Sequence, residues 1–219
     1  NRRVVTLTTA AQTPGGTAYT VAVAGVRDTS KNEVPAGSQG QFFSYLLTQN
    51  GVLKFSFWGG IPNASPVSLL FEAVDAQGNL RYPASPDWTG AVFSFNSRDI
   101  LPTDANDNYA AVMEGFLTPT ESGDYRFFIY SDDASQLYVS ANATPPDITS
   151  GAPTAEEPSC CNFFTEPDGV HTRTSEPIPM VAGQRYYISL VYKEGGGGDY
   201  GQVAWRKEGD PTPAGSLTP

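Results

Sequence analysis

Short runs of alternating apolar and polar residues, each stopped by glycine or proline, restrict this chain's fold more than any other feature. Val52-Leu53-Lys54-Phe55-Ser56-Phe57-Trp58 alternates and stops at Gly59-Gly60. Period-two spacing sends successive side chains to opposite faces of a strand, so one face can be buried. Ala110–Leu117 leads through Thr120-Glu121-Ser122-Gly123-Asp124 into Tyr125-Arg126-Phe127-Phe128-Ile129-Tyr130. A turn that short between two strand patterns predicts a hairpin. Gln136–Ser140, Gln184–Tyr192 and Gln202–Arg206 complete the set. With 22 glycines and 18 prolines in 219 residues, the chain is punctuated far more heavily than a helical protein tolerates. Neither a 3.6-residue period nor an internal repeat is present. The 11 tyrosines and 12 phenylalanines suit a pleated, half-buried surface. The fold class expected is all-β, an antiparallel β-sandwich or barrel.

The N-terminal segment has its own strand patterns. Val4–Thr8 and Tyr19–Val23 alternate, with a turn at Thr13-Pro14-Gly15-Gly16 between them. Gly25–Pro35 then resembles the closing turn of bacterial immunoglobulin-like repeats, but forty residues cannot build a sandwich of about 100. Residues 1–40 are therefore expected to be either the tail of a preceding Ig-like module or extra strands of the main sheet. Residues 41–210 form the main domain, and 211–219 a linker. The start at Asn1, without a basic and apolar leader, reads as a mature fragment or an excised domain of a larger modular protein. No run of apolar residues is long enough for a membrane-spanning helix, so no membrane insertion is expected.

Charge and residue inventory remove several functions. With 13 Lys and Arg against 23 Asp and Glu, the net charge of −10 disfavours nucleic acid and anionic membranes. The same excess suits divalent cations, or serves only solubility. One histidine, His171, rules out a three-histidine zinc site. A Ser–His–Asp device would need that residue, which sits in the polar loop Gly169–Arg173 without a serine elbow. No enzymatic activity is expected. Two long polar segments, 94–109 with Asp99, Asp104 and Asp107, and 141–178, are too long for plain connectors.

Ser131-Asp132-Asp133-Ala134-Ser135 keeps two carboxylates together at a strand end. A tight bend there would aim both at one point, where a divalent cation cancels their repulsion; a plain Asx turn is the other reading. The second feature is Lys193-Glu194-Gly195-Gly196-Gly197-Gly198-Asp199-Tyr200-Gly201. Its glycines free the backbone to expose carbonyls, and Glu194 and Asp199 add carboxylate oxygens. With no helix or Lys-Ser pair following, it is no phosphate cradle.

These segments together resemble the PA14 domain family. Tyr125–Tyr138, with its Asp132-Asp133 pair, is similar to that family's "Y.F.....DD...L.." signature, and Glu114–Leu117 to the approach before it. Val181–Tyr187, the glycine-rich turn running to Trp205, and the proline-rich Tyr82–Asp87 follow in the family's order, so the resemblance covers about residues 50–208. It implies a β-sandwich module of adhesins, flocculins, glycosidases or toxins. In the sugar-binding branch the Asp-Asp peptide is cis and holds Ca²⁺, whose coordination sugar hydroxyls complete. Carried over, Asp132 and Asp133 are the metal ligands, with Glu194 and Asp199 as candidate partners and Gly196, Gly197, Gly198 and Tyr200 beside the ligand. The family's asparagine and tryptophan in that second loop are absent here.

Cys160-Cys161 can pair only with each other inside the chain, or remain two free thiols. A bond between neighbours makes a rigid apolar plate, extended by Phe163-Phe164, that suits the apolar face of a pyranose. Such a bond persists in an oxidising, extracellular setting. Trp205 is expected in the core, and Trp88 in a loop. The function expected is a Ca²⁺-dependent carbohydrate-binding module of a secreted or surface bacterial protein, taking a glycan or polysaccharide beside neighbouring domains. The alternative is a structural or protein-interaction spacer that binds no sugar.

Overall fold

A computed structural model describes residues 17–25, 27, 33, 35, 37–44, 51–63 and 66–219. Two compact units divide the chain, Asn1–Gln49 and Asn50–Pro219. In the first, β1 (Thr17–Val23) pairs antiparallel with β2 (Ser38–Ser44), Thr17 facing Ser44. The strand expected at Val4–Thr8 and the turn at Thr13–Gly16 lie outside the described residues.

The second unit contains β3 (Leu53–Gly59), a one-turn helix α1 (Ser68–Glu72), β4 (Trp88–Val92), β5 (Tyr109–Leu117), β6 (Gly123–Asp132) and β7 (Ser135–Val139). The short strands β8 (Ala155–Glu157) and β9 (Ile178–Met180) follow, then β10 (Tyr186–Glu194) and β11 (Tyr200–Lys207). They form a six-stranded sheet in the order β4-β3-β5-β10-β7-β8 and a three-stranded sheet in the order β11-β6-β9. All pairings are antiparallel, and neither sheet closes on itself. The unit is thus an all-β sandwich, not a closed barrel.

The hairpin expected between 110–117 and 125–130 does not form. β5 pairs with β3 and β10, whereas β6 pairs with β11 and β9, so the turn at Thr118–Ser122 carries the chain from one sheet to the other. The physical reason is that both strands need partners on two sides and an apolar sheet across from them. An arch between layers supplies this, and the turn sequence alone does not distinguish it from a hairpin.

The main core lies between the sheets. Phe55, Met113, Leu137, Ile188, Leu190 and Tyr192 from the large sheet meet Tyr125, Phe127, Ile129 and Val203 from the small one. The other face of the large sheet is covered by α1 and neighbouring loops, which bury Trp58, Ile61, Leu70, Val112 and Val191. Hence β10 is buried along its whole length, with no polar face left over. The outer face of the small sheet is covered too. Phe128 and Ala204 are packed by Phe164 and by Ala214 from the C-terminal stretch, which therefore belongs to the packed domain.

Candidate functional site

Three connections, two of them between the layers and one within the large sheet, meet at one end of the sandwich. Asp133 lies between β6 and β7, the glycine loop 195–199 between β10 and β11, and segment 93–108 between β4 and β5. Backbone hydrogen bonds lock them together: Asp133 N–H donates to the Lys193 carbonyl at 2.9 Å, Lys193 N–H to Ala134 at 2.9 Å, and Asn108 N–H to Gly195 at 3.2 Å. Tyr200 stands directly opposite Asp132 across the β6–β11 ladder, and Glu194 opposite Tyr109 across β5–β10.

Three carboxylates converge there. One oxygen each from Asp132, Asp133 and Glu194 lies within 4.8 Å of the others, and the Asp132–Asp133 peptide is cis. The glycine loop already recognises the pair: Gly195 N–H donates to Asp133 Oδ2 at 2.9 Å and Gly198 N–H to Asp132 Oδ2 at 3.2 Å. A Cβ at Gly195 or Gly198 would push into the cradle and displace the side chains there. At Gly195 it would sit 2.5 Å from Asn63 Oδ1 and 2.9 Å from Asp133 Oδ2; at Gly198 it would sit 2.6 Å from Asp132 Oδ2. Gly196 faces the Asp107 carboxylate, and Gly197 adopts a φ of 124° at the exposed tip.

The electrostatics are unbalanced. Glu194 is 0% exposed, and neither of its carboxylate oxygens has a hydrogen-bond partner among the described residues. Burial, followed by the charges of Asp133, Asp132 and Asp199, pushes its carboxyl up to about 8. Asp132 is also raised, first by burial and then by the charge of Asp133. The nearby cation is Lys193, fully buried, which donates from Nζ to the Glu194 carbonyl. Burial lowers its own pKa despite the charges of Asp133 and Glu194. A single lysine against three converging acids leaves a net negative, oxygen-rich centre. Buried carboxylates without partners are costly unless something cationic compensates them. The donor set is entirely hard oxygen, which fits Ca²⁺ and does not fit a soft metal.

The other expected residues occupy distinct places. Asp199 is buried but sits outside that trio. Its Oδ2 accepts from Asn106 N–H at 2.7 Å and from Asn106 Nδ2 at 3.3 Å, while its own N–H donates to Asp104 Oδ1 at 2.9 Å. Asp104 is held below the usual carboxylate range by that donor and by Arg98, 2.5 Å away. Asp199 thus ties the glycine loop to segment 93–108. Lys193 and Asn63 also stand at the acids. Lys193 carried a signal, a charged pair ending an otherwise apolar strand, whereas Asn63 is brought in only by the fold.

Cys160 and Cys161 form a vicinal disulfide. It lies beside the acids: Cys160 bridges Asp132, and Cys161 N–H donates to the Ser131 carbonyl at 2.9 Å. Next to it, Phe164 is buried while Phe163 is 69% exposed and stacks on Tyr130 at 4.9 Å. Tyr130 in turn meets Tyr200 at 4.5 Å, and the Arg98 guanidinium covers Tyr200 at 5.2 Å. Elsewhere, His171 is in an exposed loop, paired with Asp168 at 2.6 Å. Trp58 is core, and Trp205 is partly buried against Tyr125 and Phe127. Trp88 opens β4 rather than lying in a loop, because its ring stacks on Phe55 and Phe57.

The fold is an all-β sandwich with a cluster of acids at one end, and comparison with known proteins places it in a family. A PA14 domain model matches residues 89–214, and the chain belongs to the PA14 domain family. It is 30% identical over 103 residues, 45% of the chain, to mouse N-acetyl-beta-glucosaminyl-glycoprotein 4-beta-N-acetylgalactosaminyltransferase 1, covering 10% of that protein. It is 31% identical over 143 residues, 65% of the chain, to human fibrocystin-L, covering 3%. The chain therefore spans a tenth or less of the length of these relatives. Among solved structures, the PA14 domain of the MpAFP antifreeze protein is 17% identical, with a TM-score of 0.49, 78% of this chain and 92% of that one covered. Among the described residues no helix is long and apolar enough to cross a membrane, which says nothing of β-barrels.

Proposed function

We propose that this chain is a Ca²⁺-dependent carbohydrate-binding module of a secreted or surface protein. The observation that carries the reading is the convergence beside the glycine loop of Asp132, Asp133 and the fully buried Glu194, whose carboxylate has no hydrogen-bond partner among the described residues. These three side chains would hold the ion, and Asn63 and the loop carbonyls lie at hand for the remaining positions. When bound, Ca²⁺ supplies coordination positions that vicinal sugar hydroxyls can take in place of water. The protein's own residues do the rest. Gly195 and Gly198 fix the two aspartates through their N–H groups, Asp199 pins the loop through Asn106, and Tyr200 and the Cys160–Cys161 plate flank the site. The mouse transferase relative is named for an N-acetylglucosaminyl glycoprotein, which fits a glycan partner.

Glycan-array binding in Ca²⁺ and in EDTA tests the reading, with Asp132→Asn/Asp133→Asn as the variant. Binding should vanish in both the chelated and the substituted protein. Retained binding in either overturns it. The depth of Glu194 favours one second reading, in which the ion only braces the crossover of a structural spacer. A melting temperature that rises with Ca²⁺ on a protein silent across the array would select that alternative.

A further inference from the structure

The aromatic row beside the acids has a direction. Tyr130 and Asp132 are two residues apart on β6 and share a face, and Tyr200 faces Asp132 across the ladder. The row starts at Tyr200 against the acid pair, passes through Tyr130 at 4.5 Å, and ends at Phe163 a further 4.9 Å on. Phe163 closes the row with its other side open to water at 69% exposure.

Its position is fixed on both sides. Phe164 is sunk between Phe128, Ala204 and Ala214. Before it, the Cys160–Cys161 disulfide is bonded to the end of β6, and Asn162 Nδ2 caps the turn through the Cys160 carbonyl at 2.8 Å and Glu157 at 3.2 Å. A large apolar ring held in water at a preset angle makes no contribution to the core. It is poised to contact something outside the fold, at little ordering cost. One projecting ring offers far less than the roughly 1,000 Å² that a stable protein interface buries. It matches instead the C–H face of a single sugar ring.

We propose that Phe163 is a specificity-determining residue, stacking on the second sugar of an oligosaccharide whose first residue occupies the Asp132–Asp133 site. This rests on the carbohydrate reading above. Cys160, bridged to Asp132, lies alongside the first ring, whereas Phe163 lies two ring spacings from Tyr200 and serves the next. The ligand class is thereby narrowed to glycans of at least two residues with an apolar face on the penultimate sugar.

The test uses the full chain in Ca²⁺, the tightest oligosaccharide found on the array, and the corresponding terminal monosaccharide. Phe163→Ala should weaken the oligosaccharide roughly tenfold and leave the monosaccharide within about twofold, the scale of removing one aromatic anchor. Phe163→Leu keeps bulk without a ring and should behave like the alanine variant, and Phe163→Trp should restore binding. Since Phe163 is exposed, melting temperatures should stay near wild type; if the alanine variant misfolds, the leucine variant gives the answer. Unchanged oligosaccharide affinity, or equal losses for both ligands, overturns the proposal while leaving the cation site standing. A wild-type protein that binds no sugar removes this proposal together with the carbohydrate reading it rests on.

Discussion

Glu194→Gln is the perturbation that reports most directly on the acid cluster. In the cation-free protein the Glu194 carboxyl is raised from 4.5 to about 8, chiefly by burial and then by its acidic neighbours. The unfolded chain releases this proton near the ordinary value, whereas the folded chain keeps it until about 8. Between those limits the native state binds one more proton, so stability is highest at low pH and is lost as pH rises. The slope approaches about 1.4 kcal/mol per pH unit, or about 3 kcal/mol over two units. Glutamine cannot titrate, so the variant should lack this part of the profile. Urea unfolding in EDTA, followed at several pH values between the two limits, reads the difference. Wild type should lose stability relative to Glu194→Gln as pH rises, and saturating Ca²⁺ should abolish that loss by taking the proton's place. Parallel profiles for the two proteins in EDTA would refute the argument that this carboxylate is buried uncompensated.

Gly198→Ala places a methyl group 2.6 Å from Asp132 Oδ2 and 2.8 Å from Tyr200 Cε1. It should weaken Ca²⁺ by roughly ten- to a hundredfold in a calorimetric titration, as loss of an orienting group does; undiminished affinity would place the ion elsewhere. Trp58→Ala, at a residue 2% exposed beneath α1, should cost about 3–5 kcal/mol in urea unfolding without altering sugar specificity. A cost below about 1 kcal/mol would contradict its burial.

The long strands were legible because their side chains obey simple rules. The alternation at 52–58 and the apolar-rich runs at 110–117 and 186–192 become β3, β5 and β10. What was not legible is which strand pairs with which. Thr118–Ser122 looks the same to its neighbours in a hairpin and in an arch, and only the need of β5 and β6 for separate partners decides between them. Short elements such as β8, β9 and α1 were missed for a related reason. Three to five residues carry too little periodicity, and their shape is imposed by what they cover. At the site, the pair Asp132-Asp133 announced itself because adjacent charges at the end of an apolar strand need a cause. Asn63, by contrast, reaches Gly195 from more than a hundred residues away in sequence, and nothing local marks it.

The last strand contributes to the site as much as the middle ones do. Asp132 is opposed by Tyr200 on β11, and the loop that grips both aspartates is anchored by that strand. A ribosome that has delivered β3 through β10 has therefore made the acids but not their cradle. Domains fold as units once their sequence has emerged. Recognition should thus switch on late in synthesis, after Lys207, and chains cut short before β11 should be unable to compete for the ligand of finished molecules.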